Sequence, residues 1–108
     1  MLMRYLIVTD HAEERFRERV KLPRRVVTKR AALALERGIT HAEATGPLRR
    51  YFDMLYSQDG AANNIRVYCG TVYIFYYDTL LTVFPLPQRL RKIAEKIQRR
   101  KKEHLDVH

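Results

Sequence analysis

Two residues near the N-terminus, His11 and Arg15, have types and a spacing that suit phosphodiester chemistry. Residues four apart on a helix are surface neighbours, and an imidazole can move a proton while a guanidinium grips a phosphate. Such a pair suits RNA cleavage, in which a 2′-hydroxyl loses a proton and a phosphorane-like transition state is stabilised. A solvated helix face is the competing interpretation, because Glu13 with Arg17 and Arg15 with Glu18 have the spacing of helical ion pairs. Spacing alone favours the solvated face.

Basic and aromatic residues also lie close together in the second half of the chain. Arginine lies near tyrosine in "RRY" at 49–51 and "RVY" at 66–68, and further hydroxyls come from Tyr73, Tyr76, Tyr77 and Thr82. Basic residues interleaved with aromatics on an open sheet can hold single-stranded nucleic acid by stacking and phosphate contacts. The alternative is that tyrosine and threonine are simply good strand formers. It explains most of the tyrosines but explains Arg49, Arg50 and Arg66 less well.

The charge balance indicates a class of partner. The 108 residues include 21 Lys and Arg against 12 Asp and Glu, a formal net charge of +9. Such an excess attracts polyanions, usually nucleic acid, although an anionic protein or membrane surface would attract it too. The length suits one domain, and 46% hydrophobic residues are enough for a folded core.

Several classes of chemistry have no support in the sequence. Cys69 is the only cysteine, which excludes an internal disulfide and suits a reducing compartment, so a cytoplasmic location is expected. The histidines and this cysteine lack metal-ligand spacing, and nucleotide-binding and serine-nucleophile motifs are missing, so neither a metal nor a cofactor is expected. His41 is interpreted as a polar loop residue. No apolar run reaches the length of a membrane span, and "LMRYLIV" is too short for a signal peptide.

Local signals place the secondary structure. Thr9 or Asp10 is a good helix N-cap, Pro23 marks a break, and Gly38 is a natural C′ residue for the next helix. In the first half, the predicted elements are a short edge strand or lead-in at 5–8, helices at about 11–20 and 24–37, and a connection at 40–47. In the second half, they are a strand at 49–57, two strands within 65–77 around a tight turn at Cys69 and Gly70, a strand at 79–86 and a helix from about 88.

These elements predict an α+β fold with N-terminal helices packed on a four-stranded antiparallel meander sheet, plus a C-terminal basic helix. One face of the sheet is expected under helices, and the other is expected to face water and to be free for binding. Residues 1–108 are expected to form a single domain, with a core at 1–87 and the basic helix and tail at 88–108. The apolar stripe of that helix should dock on the domain or on a second copy, and the tail at 99–104 should be frayed and exposed.

The segments "TDHAEERFRERV", "ALERGIT" and "NNIRVYCGTVYIFYYDTLLTVFPLP" together resemble a known group of proteins. The opening is similar to the H-x-x-x-R-x-x-x-R start of small bacterial and phage toxin-like domains with the RelE, BrnT and colicin-like ribonuclease fold. The resemblance covers about residues 7–87 and leaves the C-terminal basic helix outside. It implies N-terminal helices on a four-stranded antiparallel sheet and RNA cleavage without a metal.

The resemblance also implies roles for particular residues. In that group scattered His, Arg, Lys, Tyr and Thr residues cleave RNA, which here implies His11 as general acid or base, Arg15 and Arg66 as phosphate clamps, and Tyr68 and Thr82 as supporting hydroxyls. The residues expected to contact nucleic acid outside this centre are Arg19, Arg49, Arg50, Tyr73, Arg99, Arg100, Lys101 and Lys102.

Two functions are therefore expected from the sequence. The first is a metal-independent, RNA-cleaving toxin-like protein. The alternative is a non-enzymatic phage- or mobile-element-encoded binding protein that inhibits a host nucleic-acid-associated complex. The expected partners are RNA or another polyanion, with an acidic antitoxin or a host nucleoprotein as a protein partner. A membrane partner is not expected, and a homodimer is left open.

Overall fold

The computed structural model describes residues 7–20, 23–58, 60 and 62–106, apart from the side chains at 13, 16, 19, 20, 24 and 104–106. The elements in chain order are β1 (Ile7–Val8), α1 (Asp10–Val20), α2 (Arg24–Arg37), α3 (Gly46–Gln58), β2 (Asn64–Tyr68), β3 (Thr71–Tyr76), β4 (Thr79–Pro85), a 3₁₀ turn (Gln88–Leu90) and α4 (Arg91–Asp106). The class is α+β, as predicted from the sequence. Among the described residues, no helix combines the length and the apolar character needed to cross a membrane.

The sheet has four strands in the order β1-β4-β3-β2. β2, β3 and β4 form an antiparallel meander, as predicted, and the Cys69–Gly70 turn joins the first two of them. The positive φ angles of Cys69 (48°) and Gly70 (76°) are those of the tight hairpin turns that match strand twist. β1, however, runs parallel to β4, with Ile7 opposite Thr79. The sheet is therefore mixed, and the prediction of a purely antiparallel sheet is wrong.

The segment at 49–57, predicted as a strand, belongs to α3. Its buried residues recur at the spacing of one helix face and are Leu48, Tyr51, Phe52 and Leu55. The side chains of the same segment also divide between two faces with a period of two, a pattern that is typical of a strand. Pro47 lies in the first turn of α3, where its missing N–H is not needed by the helix. The fourth strand of the sheet is β1, which belongs to the segment that the sequence predicted as a short edge strand or lead-in.

Both faces of the sheet are covered by helices. The first face packs on α3 and α4 through Ile65, Val67, Val72 and Ile74. The second face packs on α1 and α2 through Tyr73, Phe75, Leu80 and Val83. The result is three layers, with the sheet in the middle and an α1–α2 layer and an α3–α4 layer outside. The prediction of one water-facing sheet surface is therefore wrong, because apolar side chains alternate to both sides of β3 and each side needs cover.

Local capping and edge contacts hold these layers in register. The Thr9 hydroxyl accepts a hydrogen bond from the Ala12 N–H (3.1 Å) and donates to the Leu80 carbonyl (2.9 Å), so the predicted N-cap of α1 also attaches that helix to β4. At the opposite edge, Ile39 and Val67 exchange backbone hydrogen bonds of 2.8 and 3.1 Å. These bonds occupy the outer edge of β2, which would otherwise be free to pair with another strand.

α4 is an integral part of the fold. Leu90 and Ala94 are buried in the core, as the prediction of a docked apolar stripe requires. The predicted frayed tail at 99–104 is instead helical. Its Lys101 ammonium donates to the Gly38 carbonyl (2.9 Å) and to Glu43 Oε1 (3.0 Å), so this part of α4 is attached to the end of α2.

Position 38, directly after α2, requires glycine for a steric reason. Its φ of −64° is open to any residue, so the left-handed conformation expected of a C′ glycine is not used. A Cβ at this position would lie 2.5 Å from the Ala34 carbonyl oxygen and 3.1 Å from Arg66 Cβ. Backbone and a neighbouring strand therefore leave no room for a side chain.

We expect Gly38→Ala to destabilise the protein by about 1–3 kcal/mol, the range for forcing a methyl group into a packed site. Urea denaturation measures this change in the free energy of unfolding. Gly60→Ala is the matched control, because a Cβ at Gly60 would meet nothing within 4 Å. Equal midpoints for the two variants would show that the contact between α2 and β2 can relax.

Candidate nucleic-acid interface

His11 and Arg15 form the expected neighbouring pair on α1. The Arg15 Nε–H points to His11 Nε2 at 3.5 Å, a length at which a hydrogen bond is weak. His11 is exposed and Arg15 is half-buried. The imidazole is therefore accessible to a ligand, with a guanidinium beside it. Both belong to the α1–α2 layer.

Arg66 is used by the fold. It lies on the face of β2 that packs on α2, where its Nη1 donates to the Leu35 carbonyl (2.8 Å) and its Nε donates to Asn64 Oδ1 (2.8 Å). The Leu35 carbonyl is in the last turn of α2, where backbone acceptors lack partners within the helix. Arg66 thus binds the end of a helix, and a phosphate would have to displace these hydrogen bonds.

Tyr68 and Tyr73 lie on the same face of the sheet as Arg66, and Tyr73 is directly opposite Arg66 in the strand register. Tyr68 is half-buried; burial raises the pKa of its hydroxyl, Cys69 raises it further, and the charge of Arg37 opposes the rise. Tyr73 is 1% exposed, and its ring stacks on Phe75 with 6.4 Å between centroids. Burial raises the pKa of Tyr73 to about 12. Tyr73 is therefore a core residue, and it would have to be uncovered before it could contact nucleic acid.

Thr82 lies on the other face of the sheet. It is opposite Ile74 on β4 and borders a shallow depression with Leu55 and Phe84, beneath α3. The sheet itself therefore separates Thr82 from Arg66 and Tyr68. The five side chains expected in one catalytic centre are distributed over α1 and both faces of the sheet, and they do not form one site.

Most of the basic residues that were expected to contact nucleic acid outside the catalytic centre are exposed. Arg49 and Arg50 are exposed on α3, and Arg99, Arg100 and Lys102 are exposed on α4. Lys101 is an exception, since its ammonium is bonded to Gly38 and Glu43. The side chain of Arg19 lies outside the described residues.

Further exposed cations on the same layer were not singled out from the sequence. Together with those already named, they form what we call the cationic face: Arg49, Arg50, Arg89, Arg91, Lys92, Lys96, Arg99, Arg100 and Lys102. Lys92 and Lys96 share a helix stripe with Arg99, opposite the buried stripe of α4, so the helical period could have revealed these two lysines. Among the described side chains, the exposed acidic residues on these helices are Asp53, Glu95 and Glu103.

The α1–α2 layer has a more balanced surface. Its exposed basic residues in the described part of the chain are Arg17, Arg25, Lys29, Arg30 and Arg37, and its exposed acidic residues are Asp10, Glu14, Glu18 and Glu36. Among the described side chains, the excess of positive charge is therefore concentrated on the α3–α4 layer. A polyanion would meet its strongest field on that side of the molecule.

A cavity of about 420 Å³ lies beside α4, between this helix and the Cys69–Gly70 turn. We call it the α4 cavity. Its apolar lining comes from Ile39, Val67 and Ala94, and its polar lining includes Arg91, Glu95 and Arg99. The volume is in the range of small-ligand sites. The α4 cavity thus combines an apolar surface with two of the cations of the cationic face.

His41 has a specific partner, which the interpretation as a polar loop residue missed. Its Nε2 lies 2.6 Å from Asp53 Oδ1, and its ring packs edge-on against Tyr56 at 5.6 Å between centroids. The short distance is typical of charge-assisted hydrogen bonds. The pair attaches the connection before α3 to the outer surface of α3. A helical pattern over 49–57 predicts Asp53 on that surface, so a helix prediction for this segment could have revealed the pair.

Glu43 joins the same connection to α4. Burial raises the pKa of this carboxyl group, but hydrogen bonds from the Thr40 backbone and from Lys101, with the charge of Lys101, lower it more. The net result is a pKa below the ordinary value of 4.5. Glu43 Oε1 accepts from the Thr40 N–H at 2.9 Å while the Glu43 N–H donates to the Thr40 hydroxyl at 3.3 Å, the reciprocal arrangement of a capping box.

Comparison with protein-family models, with curated proteins and with solved structures found no match to this chain. The resemblance to the RelE, BrnT and colicin-like ribonucleases therefore stays a prediction. Within the described residues, no group of three or more His, Cys, Asp or Glu side chains is arranged to hold a metal ion.

The ion pair of Glu43 with Lys101 should make stability depend on pH. Because the pKa of Glu43 is lowered in the folded protein, its contribution is present above 4.5 and is lost as the pH falls through the folded value. We expect wild type to exceed Glu43→Gln by about 0.5–1 kcal/mol at neutral pH, since the pair is partly exposed.

Urea denaturation of both proteins from neutral pH to about pH 3 measures this difference, which should shrink at the acid end. Glu36→Gln, the same change of charge at an exposed position on α2, is the control. A difference that stays constant over the whole range would contradict the assignment to the Glu43 carboxylate.

Proposed function

We propose that the protein binds RNA through the cationic face of its α3–α4 layer. The observation that carries this proposal is the unequal distribution of charge between the two helical layers. Among the described side chains, the cationic face has nine exposed Lys and Arg residues beside three exposed carboxylates on the same helices, whereas the α1–α2 layer exposes five basic and four acidic residues. A net charge of +9 on 108 residues suits a polyanion rather than a small neutral ligand.

The rigidity of α4 supports the same proposal. The helix is held by Ala94 in the core, by Leu90 of the 3₁₀ turn that leads into it, and by the Lys101 contacts to Gly38 and Glu43. Its exposed cations therefore project from a fixed backbone. Each phosphate that such a cation neutralises releases condensed counterions, and this release supplies much of the affinity for nucleic acid.

The α4 cavity favours RNA among polyanions. Its apolar lining can receive a base, while Arg91 and Arg99 at its border can bind phosphates. An anionic protein or a lipid headgroup would use the cations without needing an apolar recess of this size. Single-stranded RNA offers both groups at once, because its bases are free to leave the stack.

We expect a variant with Lys92, Lys96 and Arg99 all changed to Gln to bind single-stranded RNA more weakly. The slope of log affinity against log salt should fall by up to about 2, since each lost phosphate contact removes about 0.7 for a single strand. Fluorescence anisotropy at several salt concentrations measures the slope. The matched control changes Arg25, Lys29 and Arg30, which are exposed on α2, to Gln. Equal slopes for the two triple variants would overturn the assignment to the cationic face.

RNA cleavage is a second candidate function, and the contact between His11 and Arg15 is the observation that favours it. We propose His11 as the group that moves the proton and Arg15 as the group that faces the phosphate. The engagement of Arg66 and the position of Thr82 remove two of the expected helpers from this centre. The alternative of a non-enzymatic binder that blocks a host nucleoprotein requires only the cationic face.

Under the cleavage proposal, His11→Ala should lose at least tenfold in the rate of cleavage of a mixed RNA pool in EDTA, because general acid–base catalysis typically contributes at least that much. Gel analysis of the RNA measures the rate, and circular dichroism checks that the variant is folded. His41→Ala is the control, since that imidazole lies on the α3–α4 layer. Equal cleavage by wild type and a folded His11→Ala would remove His11 from the mechanism.

A further inference from the structure

The α4 cavity has a row of alternating charges along one side. Arg91, Glu95 and Arg99 line it, and successive members of the row are four residues apart on α4. At 1.5 Å of rise per residue, the two arginines are about 12 Å apart along the helix axis with the carboxylate between them. This spacing would allow ion pairs within the helix. In the described part of the chain, however, Glu95 forms no ion pair with either arginine.

A carboxylate beside an apolar recess restricts the base that can enter. Glu95 presents two acceptors and no donor when ionised. Among the four bases, guanine alone offers two adjacent N–H donors on its Watson–Crick edge, at N1 and at the exocyclic N2 amine. Cytosine and adenine offer an amine beside an acceptor nitrogen, which a carboxylate repels. A bidentate pair between Glu95 and guanine would therefore satisfy both groups, whereas the other bases would leave one unsatisfied.

The remaining lining suits the rest of a nucleotide. Ile39, Val67 and Ala94 supply the apolar part of the cavity lining, against which a flat base can lie. Arg91 and Arg99 flank Glu95 at one helical turn on either side, where the phosphates before and after the base would lie. Gly70 limits the cavity opposite Arg91, with its φ of 76° in the hairpin turn.

We propose that the α4 cavity is a guanine-specific subsite for single-stranded RNA, in which Glu95 binds the N1 and N2 donors and Arg91 and Arg99 bind the adjacent phosphates. The proposal rests on RNA binding by the cationic face and adds a base preference to it. Under this proposal Glu95 acts differently from the two arginines beside it. Its negative charge lowers the affinity for phosphates in general, but its hydrogen bonds raise the affinity for guanine.

The first experiment compares single-stranded oligouridine RNAs that have one central guanosine, inosine or adenosine. Wild type should bind the guanosine oligonucleotide about tenfold more tightly than the adenosine one, within the range for one good bidentate pair. Inosine, which lacks the N2 amine, should fall between them. Glu95→Gln should lose this order, because its affinity for the guanosine RNA should fall towards its affinity for the adenosine RNA. The affinity for the adenosine RNA should stay the same or rise slightly, because a negative charge is removed.

Glu103→Gln is the matched control, since it makes the same change of charge at an exposed position on α4 outside the cavity lining. It should keep the preference for guanosine. An equal preference in Glu95→Gln and Glu103→Gln, or no preference in wild type, would overturn the guanine subsite while leaving RNA binding intact. Failure of wild type to bind any of the three RNAs at low salt would instead overturn RNA binding itself.

The second experiment uses Cys69, the only cysteine, which is exposed at the border of the α4 cavity. The guanosine oligonucleotide should slow the reaction of Cys69 with a bulky thiol reagent at least tenfold more effectively than the adenosine oligonucleotide at equal concentration. Guanosine monophosphate, which offers the same base with one phosphate, should protect more weakly than the oligonucleotide. Protection by the monophosphate that equals that of the oligonucleotide would overturn RNA as the source of the guanine, and equal protection by the two RNAs would overturn the subsite.

Discussion

The burial of β3 on both faces is the constraint on which the rest of the structure depends. Val72 and Ile74 face α3 and α4, while Tyr73 and Phe75 face α1 and α2. A strand with apolar side chains on both sides cannot lie at a water interface, so each face needs its own pair of helices. The outer surface of the protein is therefore mainly helical. A ligand meets helix surfaces and the turns between elements rather than an open sheet.

The two helical layers are joined at the end of α2. Its last carbonyl groups accept hydrogen bonds from three side chains that are distant in sequence: Arg66 bonds to Leu35, Gln98 to Arg37 and Lys101 to Gly38. Positive charge near a helix C-terminus is favourable because of the helix dipole. Two of the cations that look available for phosphate in the sequence thus stabilise the junction between layers. Lys101 fixes the position of α4 in this way, and Arg66 attaches β2 to α2.

α4 therefore has two roles on its two sides. Ala94, with Leu90 of the preceding 3₁₀ turn, completes the core on one side, and the exposed lysines and arginines that α4 contributes to the cationic face lie on the other. The proposed RNA interface depends on this helix for its geometry, whereas the proposed cleavage pair of His11 and Arg15 lies on the opposite layer. Binding and cleavage, as proposed, use surfaces separated by the sheet. One function can therefore exist without the other.

The elements that could be predicted are those with strong local signals. α1 and α2 follow from the cap at Thr9, the break at Pro23 and the close of α2 at Gly38, and each signal acts within a few residues. The helix α3 could not be separated from a strand, because its apolar residues fit both periods and only packing against the sheet selects the helix. Net charge likewise predicted a polyanionic partner without showing which cations would be exposed.

The sequence by itself determined the α+β class, three of the four helices, the hairpin turn at Cys69 and Gly70, and the excess of positive charge. Only the tertiary structure decided that Tyr73 is a core residue and that Arg66 and Lys101 bind backbone carbonyls. Their partners lie 31 and 63 residues away along the chain. Contacts between residues so far apart in sequence depend on how the layers pack together. The type and spacing of residues within one segment do not determine that packing.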